Sequence, residues 1–274
     1  MLDGLFGNIS DLLSMPFFQM ALIGGALTAL ICSTMGIFIV LRKEAMIGDS
    51  VAHTAFGGIA LGLLLGIDPM LTALLISILA ILGISYMKKK GIAQSDTAMA
   101  VMLAMGFSLG LIVISIAGGF NVAVMDYMFG SILTITANDL AIMVVLGTAI
   151  LVVIALLYKE LLSITFDEQA ARMNGIPVGA ISFVFNMLVA LTIVLSIKVV
   201  GIVLVVALIV IPSLTALQFH RSFRATLMAS TAFGMFTVVI GIIMAALFNA
   251  ATSGVIVFTA AAIFLFVAAY QRLA

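Results

Sequence analysis

The stretch GDSVAHTAFGG (48–58) sets Asp49 and His53 four residues apart. On a helix that spacing puts two side chains on one face, one turn from each other, so a carboxylate oxygen and an imidazole nitrogen can close on a single ion. An equal mix of oxygen and nitrogen suits manganese, iron or zinc better than copper(I), which thiolate and thioether sites select. Two ligands do not complete a site. Two copies of the chain on a twofold axis would supply four, with two carboxylates balancing one doubly charged cation and both imidazoles neutral. The vacant pair of carboxylates would repel, which favours one bound proton. A transport site must also let its ion go, so incomplete ligation suits that purpose. The competing reading makes Asp49, which closely follows Lys43, a helix cap on the cytoplasmic side and His53 a hydrogen-bonded packing residue.

The elements that must carry this pair are membrane spans. Of 274 residues 65% are hydrophobic and 8% charged, with a mean hydropathy of +1.42, whereas a soluble domain is about 45–50% apolar. Runs of about 20 apolar residues cross the bilayer as helices, because the backbone must satisfy its own hydrogen bonds there. Nine such runs fall near 17–41, 47–67, 69–87, 97–118, 139–158, 178–197, 199–219, 225–247 and 254–270. The reading is an all-α polytopic bundle forming one transmembrane domain over 1–274. With the N-terminus outside and the C-terminus cytoplasmic, every lysine and arginine except Lys198 lies on the cytoplasmic side, as the positive-inside rule requires. An eight-span alternative would have to merge or expel one segment, most readily in the closely joined pair at 178–219.

Eleven basic residues balance eleven acidic ones, which gives no reason to expect nucleic acid as a partner. The single cysteine, Cys32, excludes an internal disulfide framework. The N-terminal MLDGLFGNISDLLSMP lacks the positive region of a signal peptide, so removal is not expected. No G-x-x-x-x-G-K-[ST] and no H-E-x-x-H is present, which argues against ATP binding by a P-loop and against a zinc protease of that kind. Catalytic residues are not expected.

Several other features have structural explanations. Gly58, Gly62 and Gly66 recur at four-residue spacing, the pattern that lets helix backbones approach in lipid, and are read as packing. His220, beside Arg221 and Arg224, reads as an interface anchor, with a part in metal exit as the alternative. Cys32 and the 18 methionines are soft potential ligands but ordinary core or lipid-facing material. Asn186, Ser213 and Gln218 either line a pathway or pair with neighbouring helices. The external stretch 118–139 is too apolar for a plain loop and reads as a short interfacial or re-entrant helix, or as a connection covering the outer ends of other spans. On the cytoplasmic side TFDEQAARMNGI (165–176) reads as a short helix. Thr165 is expected to cap it, Asp167 and Glu168 to favour its positive end, and Asn174-Gly175 to stop it before Pro177. A soluble partner can grip such a shape.

Four stretches in order also carry a family likeness: LRKEAMIGDSVAHTAFGGIALG (41–62), MFGSILTITANDL (128–140), FDEQAARMNGI (166–176) and KVVGIVLVVALIVIPSLTAL (198–217). The chain resembles the membrane permease subunits of ABC importers for manganese, zinc and iron. The family's usual proline-glycine pair after the histidine segment is Phe56-Gly57-Gly58 here. The resemblance implies a homodimer, type II importer-like, in a prokaryotic plasma membrane. It implies an extracellular metal-binding lipoprotein that delivers the ion and a cytoplasmic ABC ATPase that uses ATP, with no permanently bound cofactor. Asp49 and His53 match the family's pathway ligands. The 165–176 segment matches its coupling helix, with Phe166, Asp167, Glu168, Arg172 and Gly175 at the ATPase. The chief rival is a proton- or ion-coupled secondary carrier with Asp49 and His53 as a proton relay. A membrane enzyme using the pair for acid-base work lacks a third orienting group.

Overall fold

The computed structural model describes residues 14–119, 122–130, 135–248 and 250–273. Among them the elements are helices: α1 (Pro16–Leu41), α2 (Met46–Leu65), α3 (Pro69–Lys89), α4 (Ser95–Ile116), α5 (Val122–Phe129), α6 (Ala137–Leu156), α7 (Tyr158–Phe166), α8 (Glu168–Met173), α9 (Val178–Leu217), α10 (Phe223–Phe248) and α11 (Thr252–Leu273). Local chemistry sets the ends. Gly66 closes α2 in the left-handed region (φ 67°) and donates its N–H to Gly62. The Asp68 carboxylate then accepts from Met70 and Leu71 at 2.8 and 3.1 Å, with Pro69 in the first helical position of α3. At α6, Thr136 and Asp139 bond reciprocally, the hydroxyl accepting from Asp139 N–H and the carboxylate from Thr136 N–H. Lys198 Nζ donates to the same carboxylate, so the lone lysine predicted outside has an acidic partner.

Eight helices among the described residues, α1–α4, α6 and α9–α11, are long and apolar enough to cross a membrane. Nine runs were expected. The difference is α9, whose 40 residues join the runs at 178–197 and 199–219. As one straight helix α9 would be about 60 Å long, twice the roughly 30 Å hydrocarbon core. It is not straight, because Gly201 sits at φ 79°, ψ 164°, a conformation closed to other residues.

The chain divides into two compact units. One comprises Phe38–Met128 and Ala149–Ile197; the other comprises the described parts of Met1–Ile37, Phe129–Thr148 and Lys198–Ala274. In the first, Arg42 meets Ser182 and Phe38 meets Phe185, so the start of α9 runs antiparallel to the end of α1. In the second, Gly24 lies beside Val199 and Gly36 against Ile209 and Ser213, so the later part of α9 runs parallel to α1. Ser213 Oγ is 3.1 Å from Ser230 Oγ, and Ser230 donates to the Ser33 carbonyl at 3.1 Å. Of the two readings open for Ser213, pairing between helices is the one observed.

A short helix, α5, lies within the apolar 118–139 stretch, flanked by Gly118, Gly119 and Gly130 at positive φ. Residues 120–121 and 131–134 of that stretch lie outside the described set. α6 ends two residues earlier than expected, and α7 follows it directly after Leu157 as a separate helix.

A candidate metal site on α2

Asp49 and His53 both lie on α2, in its first and second turns, and both are half-buried. The helix begins after Ala45, which makes no side-chain cap, so Asp49 is not the cap that the competing reading required. His53 is no ordinary packing histidine either: its Nδ1 is buried and has no hydrogen-bond partner among the described residues. A buried ring nitrogen without a partner costs about 1–3 kcal/mol in desolvation. No hydrogen bond or ion pair among the described residues joins Asp49 to His53. One chain therefore presents a carboxylate and an imidazole on one face, neither consumed by the other.

Packing within the unit holds that face still. Buried residues make up 72% of the most apolar window of α2 but only 28% in each of α3 and α4, so α2 is the enclosed member of the three. Against α4 the fit is backbone to backbone. A Cβ on Gly57 would fall 2.6 Å from the Gly106 carbonyl oxygen, and one on Gly106 would fall 2.5 Å from Thr54 Cα. Gly110, one turn further along α4, receives the Phe56 ring. The His53 ring meets the Phe107 ring edge to face, with centroids 5.2 Å apart, and Phe107 also touches Phe56 at 5.7 Å. This aromatic contact fixes the plane of the imidazole. Sequence reasoning did not single out Phe107, although Gly106 and Gly110 form a G-x-x-x-G pattern that signals a packed face there.

Against α3, a Cβ on Gly58 would meet Ala73 Cα at 2.6 Å and one on Gly62 would meet Pro69 Cα at 2.8 Å. Gly66, expected to continue this packing row, has nothing within 4 Å and serves as the helix stop. Phe56-Gly57-Gly58 stands in an uninterrupted helix. Replacing Gly57 with valine should cost about 1–3 kcal/mol through overpacking. The check is a lower thermal midpoint of the detergent-purified chain, with Gly179→Ala, in open space, unchanged.

The segment at 165–176 differs in detail from expectation. Thr165 does not cap it; its hydroxyl donates to the Leu161 carbonyl at 2.6 Å. Asp167 is the cap, accepting from Gln169 and Ala170 N–H at 2.9 Å each. The helix itself, α8, is only Glu168–Met173. Ile176 N–H bonds Ala171 and Gly175 N–H bonds Arg172, both at 3.1 Å, with Gly175 at φ 80°, which makes a hydrogen-bonded stop before Pro177. Glu168 and Arg172 pair across one turn. Phe166 is 67% exposed and Met173 83%, flanking the charged turn with apolar groups.

The remaining candidates lie apart from Asp49 and His53. Cys32 is fully buried in α1. Asn186 is nearly buried, with its Oδ1 unpartnered. Gln218 and His220 line a cleft of about 540 Å³ with Phe264 and Arg272. Among the described residues no group of three or more His, Cys, Asp or Glu gathers as a metal cluster.

The described residues form helices, eight of them long and apolar enough to cross a membrane, which is the architecture of a multi-pass membrane protein. The chain belongs to the ABC 3 transport family, whose model matches residues 14–271. It is 33% identical to the manganese import system permease protein ScaB of Streptococcus gordonii, over 96% of each chain. It is 30% identical to the manganese transport system membrane protein MntC of Halalkalibacterium halodurans, over 93% of this chain and 87% of that one. Among solved structures, PsaBC from Streptococcus pneumoniae in complex with Fab superposes with a TM-score of 0.86 at 32% identity, covering 97% of this chain and 95% of that one.

Proposed function

We propose that the chain is the permease subunit of an ATP-driven importer of divalent transition metal ions, with manganese the first candidate. The reading rests on the membership in a transport family, on the manganese systems named for its relatives, and on one local observation. That observation is the pair Asp49 and His53 on an enclosed helix, neither used for capping or internal hydrogen bonding. An ionisable pair in a span costs several kcal/mol by insertion scales, about 2.5–3.5 for an aspartate alone, and is retained where a pathway needs it.

In this account two chains meet so that both pairs face a shared conduit and give a divalent ion four ligands. Zinc and iron suit the same donors. A metal-loaded lipoprotein delivers the ion outside, and a separate ATPase grips the Phe166–Gly175 segment inside. ATP hydrolysis belongs to that partner. In the same account the chain crosses nine times, turning back at Gly201, with the N-terminus outside and the C-terminus in the cytoplasm, as the distribution of lysine and arginine favours. The non-helical backbone at Gly201 supports that count.

The test is reconstitution. Vesicles holding the chain with its ATPase and metal-loaded binding protein should accumulate manganese only when ATP is supplied. Accumulation by the chain alone under a proton gradient would replace this reading with a secondary carrier.

A further inference from the structure

A cluster of charge, two of its three members largely buried, sits at the N-terminal end of α2. Arg42, just past the end of α1, has only 10% of its side chain exposed, and Glu44 only 11%. Arg42 Nε lies 3.3 Å from Glu44 Oε2, and Lys88 Nζ, in the last turn of α3, lies 2.9 Å from Glu44 Oε1. The guanidinium also donates to Ser182 Oγ at 3.2 Å and sits over the Phe185 ring at 5.2 Å. Ser182 and Phe185 belong to the first two turns of α9. One side chain thus ties the start of α9 to the loop that launches α2.

What lies on either side of this tie gives it meaning. Upstream of Ser182, α8 runs into α9 through a connector with little slack: Ile176 N–H bonds Ala171, Val178 N–H bonds Ile176 and Ile181 N–H bonds Pro177. Downstream of Arg42, the Glu44 carbonyl accepts the Ile47 N–H at 2.9 Å, so the residue that holds Arg42 also starts the helix carrying Asp49 and His53. Stability alone is a poor explanation for the cluster. Desolvating an ion pair offsets most of its attraction, and Arg42 Nη1 is buried with no hydrogen-bond partner among the described residues. Only arginine offers a planar fork that can bond and stack at once, which lysine cannot reproduce.

We infer that Arg42 is a positioning residue that transmits movement of the α8 segment to the metal-carrying helix α2, through Ser182 and Phe185 on one side and Glu44 on the other. The inference rests on the ATP-driven reading above. It concerns the mechanical link within the subunit, which that reading leaves open. Adjacency does not establish coupling; energetics do.

The experiment compares Arg42→Lys, Phe185→Leu and the double variant, each reconstituted with the ATPase and metal-loaded binding protein, by counting manganese ions moved per ATP hydrolysed. A lesion that only lowers the amount of assembled complex reduces both quantities together and leaves this ratio intact. Each single variant should lower the ratio about tenfold, within the usual range of coupling between sites. The double should lose little more, because both changes break one contact. Phe185→Leu keeps every charge in place and carries the test by itself if Arg42→Lys does not assemble. A wild-type ratio in the variants, or losses that multiply in the double, would overturn the inference. A wild-type complex that moves no manganese with ATP would overturn the parent reading, a result distinguishable because no variant is needed to see it.

Discussion

His53→Ala, in complexes that assemble normally, should lower ATP-dependent manganese uptake about 10–100-fold, since even the outer partners of metal ligands commonly carry effects of that size. Asp49→Asn should do as much or more. It keeps the shape of the side chain and removes the charge that balances a divalent ion in a low-dielectric passage. Both side chains are half-buried on α2 without hydrogen bonds among the described residues, so neither change removes a cap or breaks a bonded pair. Folding should therefore survive. Phe107→Leu is a useful companion: losing the edge-on ring beside His53 should weaken uptake less than either ligand change. The readout is initial uptake of radioactive manganese at several concentrations, and normal uptake in both ligand variants would remove the pair from the pathway.

Phe166→Ala should have the second large effect. The ring is 67% exposed beside a capped, charged turn, and an aromatic anchor at the centre of an interface contributes about 2 kcal/mol or more, roughly thirtyfold in affinity. ATPase co-purification and ATP-dependent uptake should fall together, while manganese binding to the permease stays unchanged. Reversing Asp167 and Glu168 to lysine should act in the same direction by two routes. It removes the cap that holds Gln169 and Ala170, at a cost of about 1 kcal/mol, and it sets cations at the positive end of a helix. Glu168→Gln breaks only an exposed i,i+4 pair with Arg172, worth about 0.3–0.5 kcal/mol, and should leave association intact. Unaltered ATPase association in Phe166→Ala and in the charge reversal would detach this segment from the coupling role.

The candidate site was legible because helical spacing is a local property. The four-residue spacing of Asp49 and His53 determines that they share a face whatever surrounds them. What surrounds them was not legible. That α4 approaches at Gly57 through Gly106, and that Phe107 meets the imidazole, depends on which helices become neighbours, and apolar runs in lipid look alike from within one run. The cluster around Arg42 was hidden for the same reason, since Ser182 and Phe185 lie 140 or more positions from it in the chain.

Local signals misled where two residues offered the same chemistry. Thr165 and Asp167 both have cap-competent oxygens; the threonine hydroxyl turned back to the Leu161 carbonyl and left the cap to the aspartate. Gly66 matched a packing row by spacing, but its left-handed backbone ends the helix instead. The runs at 178–197 and 199–219 read as two, and the kink at Gly201, near the start of the second, is where the 40-residue α9 breaks.

The central claim is that Asp49 and His53 face a conduit and hold the travelling ion between two copies of the chain. The most direct measurement is anomalous scattering at the manganese edge from the assembled transporter, prepared with manganese and trapped before release. The account predicts a peak between the two copies, within coordination distance of both Asp49 carboxylates and both His53 rings. A strong manganese peak elsewhere along the pathway, with these four side chains turned toward lipid, would contradict it.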